Sequence, residues 1–511
     1  MQEFNLSRKG ILLLFLLLVS FTVFGNTFFN QWTYDDLPVV LQNPDAHSLA
    51  GFLENTRHGR PMRELTYIPE HILFGDNPAG YRIQQLAWHG VNGFLLVLVF
   101  NALGVELPFA LIGALFFMVH PLQSESLANI SHRKELLALF FSLAAILCYL
   151  RSFSAQGMRR LLLWGSSVAA YGGALLSNET AVTLPLVALL YEWLMVERGR
   201  RVLWRKPLLT SAVCLLVGAF LLYRFRWIFA AEQLLTVYSK NSFEASQSYI
   251  PLFMGAMKAF GFYLYKIVLP VGLAPEYHFN LSESFWQPWA LLSLSLLGGA
   301  VALAVSIRKK LPLVSLGIGW FLTLWLPISN LLPVAYLAAD RYMYLCLPGI
   351  ALVLAVLLQR WPKRVVMAGT GLVLVVFAGL TVVQNGYWRD EHTLWRHAAK
   401  VNPDSSWVME SAAYSYYLKG DYETARTYVR EALRLNRFNT KAYLVLARIE
   451  EARGDLAEAL HNYEFFTEVG AVEYPDLVLE ARGKIPFLRE RLRLVEIYRK
   501  RMGSSGEGGG R

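Results

Sequence analysis

The chain has 511 residues, of which 55% are hydrophobic and only 17% charged, with a formal net charge of +10 and a mean hydropathy of +0.36. This balance excludes a soluble globular protein and places the chain among polytopic membrane proteins. The basic excess is no nucleic-acid signal, because Lys and Arg gather in short loops between apolar runs instead of forming a patch on one folded domain. Cys148, Cys214 and Cys346 all lie in apolar segments, where a thiol behaves as a small hydrophobe, and they imply neither disulfides nor a metal centre.

In chain order, Arg8 and Lys9 precede an apolar run of about 19 residues, enough to cross a bilayer. No small-x-small cleavage site follows, so the run is expected to stay as a first helix (11–29) and not to act as a signal peptide. Further spans are expected near 86–103, 107–120, 135–150, 161–177, 181–195, 208–228, 289–306, 311–329, 343–358 and 365–383, about eleven crossings in all. With Arg8 and Lys9 inside, the clusters at Arg151 with Arg159-Arg160, Arg198 to Lys206, Arg308 to Lys310 and Arg360 with Lys363-Arg364 fall on that same side. One orientation that satisfies every cluster predicts a cytoplasmic N-terminus and an extracytoplasmic C-terminus. Residues 251–269 are apolar but contain Lys258 and Lys266, and a crossing there would put Arg308 to Lys310 outside. They are expected as a re-entrant or interfacial helix within an outer loop from 229 to 288. The polar-aromatic stretch Leu273 to Phe279 follows, suited to capping a site.

Beyond the last span the sequence turns charged and helical. Gly420-Asp421 recurs as Gly454-Asp455, Ala413 as Ala447 and Ala425 as Ala459, each pair 34 residues apart, which is the tetratricopeptide period. Small residues at that spacing let helix pairs pack closely, so an α-solenoid is expected. The expected domains are 1–384 (transmembrane, with a first outer loop at 30–85), 385–500 (repeats) and a Gly/Ser-rich disordered tail at 501–511.

The orientation also sorts the polar residues. Inner loops hold little besides Arg and Lys, whereas outer loops hold Asp35-Asp36 and Arg57, Arg60 and Arg63. Also outside are His120 with Glu125, His132-Arg133-Lys134, Glu179, Ser329-Asn330 and Asp340 to Tyr344. Ionisable groups at or below the interface are expensive and mark function by default. Each has a structural reading too: a solvated acid pair, headgroup anchors at Arg57 to Arg63, an ion pair at Glu125 with Arg133 and Lys134, a helix cap at Glu179. His89, His120 and His278 lack the spacing of a metal site. Carboxylates beside several arginines, without a nucleotide-binding glycine loop, fit a donor whose phosphate is carried on a lipid. A phosphate leaving group held by cations needs no general acid, but an acceptor hydroxyl needs a base, and an acid near Asp35 supplies one. Direct displacement with inversion is the expected outcome. A divalent ion is not required, though Asp35, Asp36 and Glu125 would hold one if they converge.

The ordered set Tyr34-Asp35-Asp36, His120-Pro121 with Glu125 and Arg133, Glu179, Ser329-Asn330 and Asp340 to Leu345 resembles the TMTC family of transmembrane and tetratricopeptide-repeat O-mannosyltransferases, and more broadly the GT-C glycosyltransferases. The resemblance covers nearly the whole chain. It implies an all-α GT-C-like transmembrane bundle, a lipid-phosphate-sugar donor, and an outward-facing site. In this sequence it implies Asp35 as base with Asp36 beside it and Arg133 and Arg341 as donor or acceptor contacts; the charged outer-loop residues themselves add Lys134 and Arg63 as donor contacts, with Glu125, His120, Glu179 and Tyr344 in support. Asp340 stands where the family usually has Glu, and Lys134 replaces an Ala-like position. The repeat array is shorter than in animal members, which suggests a bacterial inner-membrane relative with a polyprenyl carrier. The expected function is sugar transfer, of mannose in the family's case, to Ser or Thr hydroxyls of exported proteins gathered by the repeats. The alternatives are a lipid or envelope-glycan acceptor, or a non-enzymatic lipid-linked-sugar transporter or scaffold.

Overall fold

The computed structural model describes residues 6–55, 59–196, 213, 215–220, 223, 249–279, 286–331 and 336–506. It divides into two compact units, Met1–Asp390 and Glu391–Arg511.

The first unit opens with α1 (Leu6–Phe24), passes through α2 (Leu49–Glu54) and α3 (Pro61–Phe74), and continues as α4 (Pro78–Ala102) and α5 (Leu107–Val119). A short α6 (Ser124–Ala128) precedes α7 (Arg133–Ser152), α8 (Gly157–Ser177) and α9 (Leu184–Val196). After the segment outside the described residues come α10 (Tyr249–Val268), α11 (Pro288–Ile307), α12 (Pro312–Trp325), α13 (Met343–Leu358) and α14 (Lys363–Tyr387). Capping chemistry fixes several starts: Pro78 sits at the first turn of α4 while the Asn77 side chain accepts the Ala79 N–H. Pro121 ends α5 by forcing His120 into an extended conformation (φ −71°, ψ 129°).

Six described helical segments are long and apolar enough to cross a membrane, beginning at Ser7, Pro78, Ile130, Pro288, Asp340 and Lys363, and α5 with the turn through α6, bent by 54°, would make a seventh. This is fewer than the expected eleven. The span expected near 161–177 is α8, diluted by Gly and Ser, and those near 181–195 and 311–329 are the short α9 (13 residues) and α12 (14 residues). The one near 208–228 lies largely outside the described residues. Polar segments cut these helices short, and irregular backbone at such depth is tolerated where protein surrounds it. The stretch expected to be interfacial is α10. At its end Lys266 Nζ donates to the Val271 and Gly272 carbonyls (2.5 and 3.0 Å), turning the chain back.

Burial grades from centre to rim. Along α13, Met343 to Gly349 is fully enclosed, whereas α11 and α14 expose Leu292, Leu296, Val373 and Val375. At the centre α12 and α13 touch backbone to backbone: a Cβ on Gly317 would lie 2.6 Å from the Gly349 carbonyl oxygen, and one on Gly349 2.5 Å from that of Gly317.

The second unit holds α15 (Glu391–Val401), α16 (Ser406–Leu418), α17 (Tyr422–Leu435), α18 (Thr440–Arg453), α19 (Leu456–Val469) and α20 (Pro475–Gly506). The starts of α16 and α18, and of α17 and α19, keep the 34-residue spacing of the sequence. Gly420 and Gly454 take left-handed φ values of 79° and 85°. Asp421 and Asp455 then cap the next helices by accepting the Thr424 and Glu458 N–H groups. Ala413, Ala425, Ala432, Ala447 and Ala459 are fully buried, as the repeat pattern requires. The unit boundary falls at 390 and not at 384, because α14 runs on to Tyr387. Helix α20 continues through Gly506 into the expected tail, whose last residues lie outside the described ones.

Replacing Gly349 by Val is expected to force α12 and α13 apart and destabilise the protein by about 1–3 kcal/mol. Gly371→Val, where a Cβ meets open space, is expected to leave stability close to wild type; thermal unfolding of the full chain in detergent checks both.

Candidate active site

The first loop makes a strained turn at Tyr34, whose φ of 57° is left-handed for a residue with a Cβ. Its hydroxyl donates to that of Tyr336 (3.2 Å). The turn sends the two neighbouring acids to different environments. Asp36 is fully buried and accepts the N–H groups of Ser131 (2.8 Å) and Thr33 (3.4 Å). Burial pushes its carboxyl up to about 7, opposed by the Arg82 guanidinium. The Asp35 side chain stays 45% exposed, with Oδ2 4.0 Å from Nε2 of a buried His132.

Behind His132 lies an ion pair. Nδ1 of the imidazole is 3.7 Å from Glu125 Oε1. Glu125 itself accepts the Arg341 backbone N–H (2.7 Å) and the Arg341 guanidinium. That guanidinium also donates to the Pro275 carbonyl (3.2 Å) and lies over the rings of Tyr336 (5.0 Å) and Tyr342 (5.2 Å). The Leu273 to Phe279 stretch therefore does close on the site, and the Tyr277 hydroxyl donates to Asp340 (2.7 Å). Asn330, left-handed at φ 59°, donates to the Tyr336 and Leu337 carbonyls (3.2 and 3.1 Å) and so shapes the chain that carries Tyr336.

A second set of charges involves α3, α7 and the turn after α8. Arg60 pairs with Glu179 (2.6 Å), Lys134 Nζ is 3.8 Å from Glu135, and Glu135 accepts from the Asn178 amide. The Arg60 and Lys134 side chains keep 22% and 15% exposure, so both remain reachable by a polar ligand. Arg63 is buried, donating to the Ser131 carbonyl at 3.4 Å and lying 3.5 Å from Glu64.

The site thus gathers Asp35, Glu125, Arg341 and Lys134 as the sequence suggested, and redistributes the rest. Arg133, expected as a donor contact, turns into the scaffold. It is fully buried and committed to Glu70 (2.5 Å), Gln84 (2.7 Å), Gln85 (3.0 Å) and the Tyr81 carbonyl (2.9 Å), stacked 4.5 Å above Tyr67. A guanidinium with that many acceptors riveting α3, α4 and α7 has little left for a phosphate. Asp36 faces backbone, so Asp35 alone of the pair presents an open carboxylate. His120 is structural: Nε2 donates to the Ile267 carbonyl (3.0 Å) and Nδ1 accepts the Leu122 N–H (3.2 Å). Tyr344 is buried against His89 (2.8 Å) and Asn92 (3.3 Å). Glu179 serves as the partner of Arg60, while Arg57 lies outside the described residues. The sequence pattern groups Arg60 with Arg57 and Arg63 but singles out only Arg63 as a donor contact, and it gives His132 no role in a triplet where the two cations draw attention. Asp35, Asp36 and Glu125 do not converge as an ion site. Among the described residues the acids close enough to share one are Glu450, Asp455 and Glu458, and Arg426 and Arg453 already pair with Glu450 and Glu458 there (2.5–3.1 Å).

No family model matches the chain. It is 23% identical to the human Protein O-mannosyl-transferase TMTC3, over 86% of this chain and 53% of that protein. With Drosophila melanogaster Tmtc3 it shares 23% identity (84% of this chain, 56% of the relative), and with human TMTC4 25% (80% and 64%). The chain spans about half the length of the TMTC3 relatives that it matches. Among solved structures it is similar to ArnT from Cupriavidus metallidurans, in the apo state (TM-score 0.41) and bound to undecaprenyl phosphate (TM-score 0.40), each at 14% identity over 88% of this chain and 79% of the other.

The raised Asp36 carboxyl has a defined sign in stability. Its folded pKa exceeds the ordinary 3.8, so its contribution is fully present below about pH 4 and is lost as pH rises through about 7. The wild-type melting temperature is expected to fall more between pH 5 and 7.5 than that of Asp36→Asn. Separately, Arg341→Ala leaves Glu125 buried without its cation and is expected to destabilise by about 3–5 kcal/mol in thermal unfolding.

Proposed function

We propose that this relative of the TMTC protein O-mannosyltransferases is itself a membrane glycosyltransferase, moving a sugar from a polyprenyl-phosphate donor to Ser or Thr hydroxyls of exported proteins. One observation carries the reading: a half-exposed Asp35 stands in front of an enclosed network of cations, with Arg60 and Lys134 still reachable. The acceptor hydroxyl gives its proton to Asp35 as its oxygen attacks the sugar carbon from the side opposite the leaving group. The bond to the phosphate breaks, its electron pair leaves with the phosphate, and the configuration inverts. Arg60 and Lys134 hold the departing charge, while Arg341, tied on one side to Glu125, adds positive field without moving. Cations suffice for this step, so no divalent ion is required.

The sugar is taken as mannose from the relatives' names. The carrier is polyprenyl in a bacterial inner membrane, with the N-terminus cytoplasmic and both the site and the second unit outside. In this reading the 34-residue helix pairs are a tetratricopeptide solenoid that gathers the acceptor chain, and the first unit is a GT-C-type bundle.

The purified full chain in nanodiscs, given radiolabelled polyprenyl-phosphate mannose and a Ser/Thr-rich peptide, tests this. Asp35→Asn is expected to lower kcat by about 10²–10⁴ with an unchanged melting temperature, and Arg60→Ala or Lys134→Ala to raise the donor KM. Wild-type transfer rates by Asp35→Asn would remove the proposed base. Envelope peptides left unmodified in cells while lipid or glycan becomes labelled would move the acceptor to that alternative.

A further inference from the structure

Three buried imidazoles of the first unit differ in one respect. His89 is bonded at both nitrogens, to the Tyr344 hydroxyl (2.8 Å) and the Met118 carbonyl (3.0 Å). His120 is likewise bonded at both, to Ile267 and Leu122. His132 is just as enclosed, at 1% exposure, yet neither of its nitrogens reaches a well-formed hydrogen bond, a loose contact with the Glu125 backbone being the nearest approach to one. An unmade bond on a buried polar group costs about 1–3 kcal/mol, and a purely structural imidazole would have found partners as the other two did. Instead its nitrogens point at two carboxylates, Nδ1 toward Glu125 (3.7 Å) and Nε2 toward Asp35 (4.0 Å), with the Tyr34 ring set edge-on at 6.1 Å.

We infer that His132 is the proton relay of this site, receiving from Asp35 the proton that Asp35 takes from the acceptor. The inference rests on Asp35 as the base proposed above. In the resting state Nδ1–H faces Glu125 and the Nε2 lone pair faces Asp35, the tautomer that the paired carboxylate favours. When the acceptor oxygen bonds to the sugar carbon and the phosphate leaves with its electron pair, the proton sits on Asp35. It then passes from Asp35 Oδ2 to His132 Nε2, and the imidazolium is stabilised by Glu125. Asp35 returns to its ionised form, and after the product leaves His132 hands the proton back through the half-exposed Asp35 to water. Transfer needs the two heavy atoms to close to about 2.6–3.2 Å, as such contacts do when substrate binds, and the half-exposed Asp35 side chain is the partner free to swing. The charged groups around His132 are Asp35, Glu125, Arg341, Lys134 and Arg63.

The test uses the full chain in nanodiscs with polyprenyl-phosphate mannose and a Ser/Thr-rich peptide, comparing wild type, His132→Ala, His132→Gln and Asp35→Asn. Both His132 variants are expected to lose at least about 10-fold in kcat with the donor KM within twofold. Added imidazoles are expected to restore His132→Ala in order of their base strength, while His132→Gln, which fills the space without accepting a proton, stays slow. Wild-type kcat in His132→Gln overturns the relay even if the alanine variant does not fold. Rescue independent of base strength overturns it too, since that marks cavity filling. If Asp35→Asn is inactive while His132→Gln is active, the relay alone falls. Full activity in Asp35→Asn, or no transfer by wild type, takes down the functional reading and the relay together.

Discussion

The buried ion pair of Glu125 with Arg341 is the constraint around which the first unit is arranged. It joins residues 216 positions apart in the chain, one on the short helix after the Pro121 bend and one at the entry to α13, the most buried of the six described candidate spans. Two charges this deep are held only if the geometry is good and the remaining polar atoms find partners. Glu125 accepts both the backbone and the side chain of Arg341, and Arg341 goes on to Pro275 and two tyrosine rings. Those contacts draw the first loop, the Pro121 turn, the segment after α10 and the start of α13 to one place.

The first loop reaches that place because several buried polar residues pin it. Arg82 donates to the Gln31 carbonyl (3.0 Å) and the Ala128 carbonyl (3.3 Å), while the Tyr67 hydroxyl donates to that of Ile130 (2.7 Å). Asp36 grips the Ser131 N–H, and Arg133 ties α3 to α4 and α7. Together these hold Tyr34 in a left-handed conformation that costs about 1–2 kcal/mol for a residue with a Cβ. The strain has a use. It separates two adjacent acids, one locked into the scaffold and one left open beside His132.

Short and bent helices are the means by which a membrane protein brings irregular backbone to a site. Helix α5 stops at His120, α12 stops before Ser329-Asn330, and α9 follows a single 3₁₀ turn after Asn178. Every one of these breaks places polar residues among protein neighbours, where their backbone groups find partners that lipid could not offer. The second unit follows different rules, with glycines at left-handed turns and alanines at helix contacts.

Local chemistry made much of this legible in the sequence. Apolar run length set the membrane character, the 34-residue recurrence of Gly-Asp and Ala gave the helix pairs of the second unit, and acids in the loops between apolar runs marked the neighbourhood of Asp35, Glu125 and Arg341. These are properties of spacing and composition, which a chain carries before it folds. Which of two adjacent carboxylates stays open depends instead on one backbone angle at Tyr34 and on a Ser131 N–H 95 residues away. Whether Arg133 or Arg60 can meet a ligand depends on how many acceptors surround each, and the number of full-length spans depends on where proline and polar turns break the helices. Pairing, burial and exposure are set by contacts between distant segments, so only the tertiary structure decided them, and only there does His132 emerge between its two carboxylates.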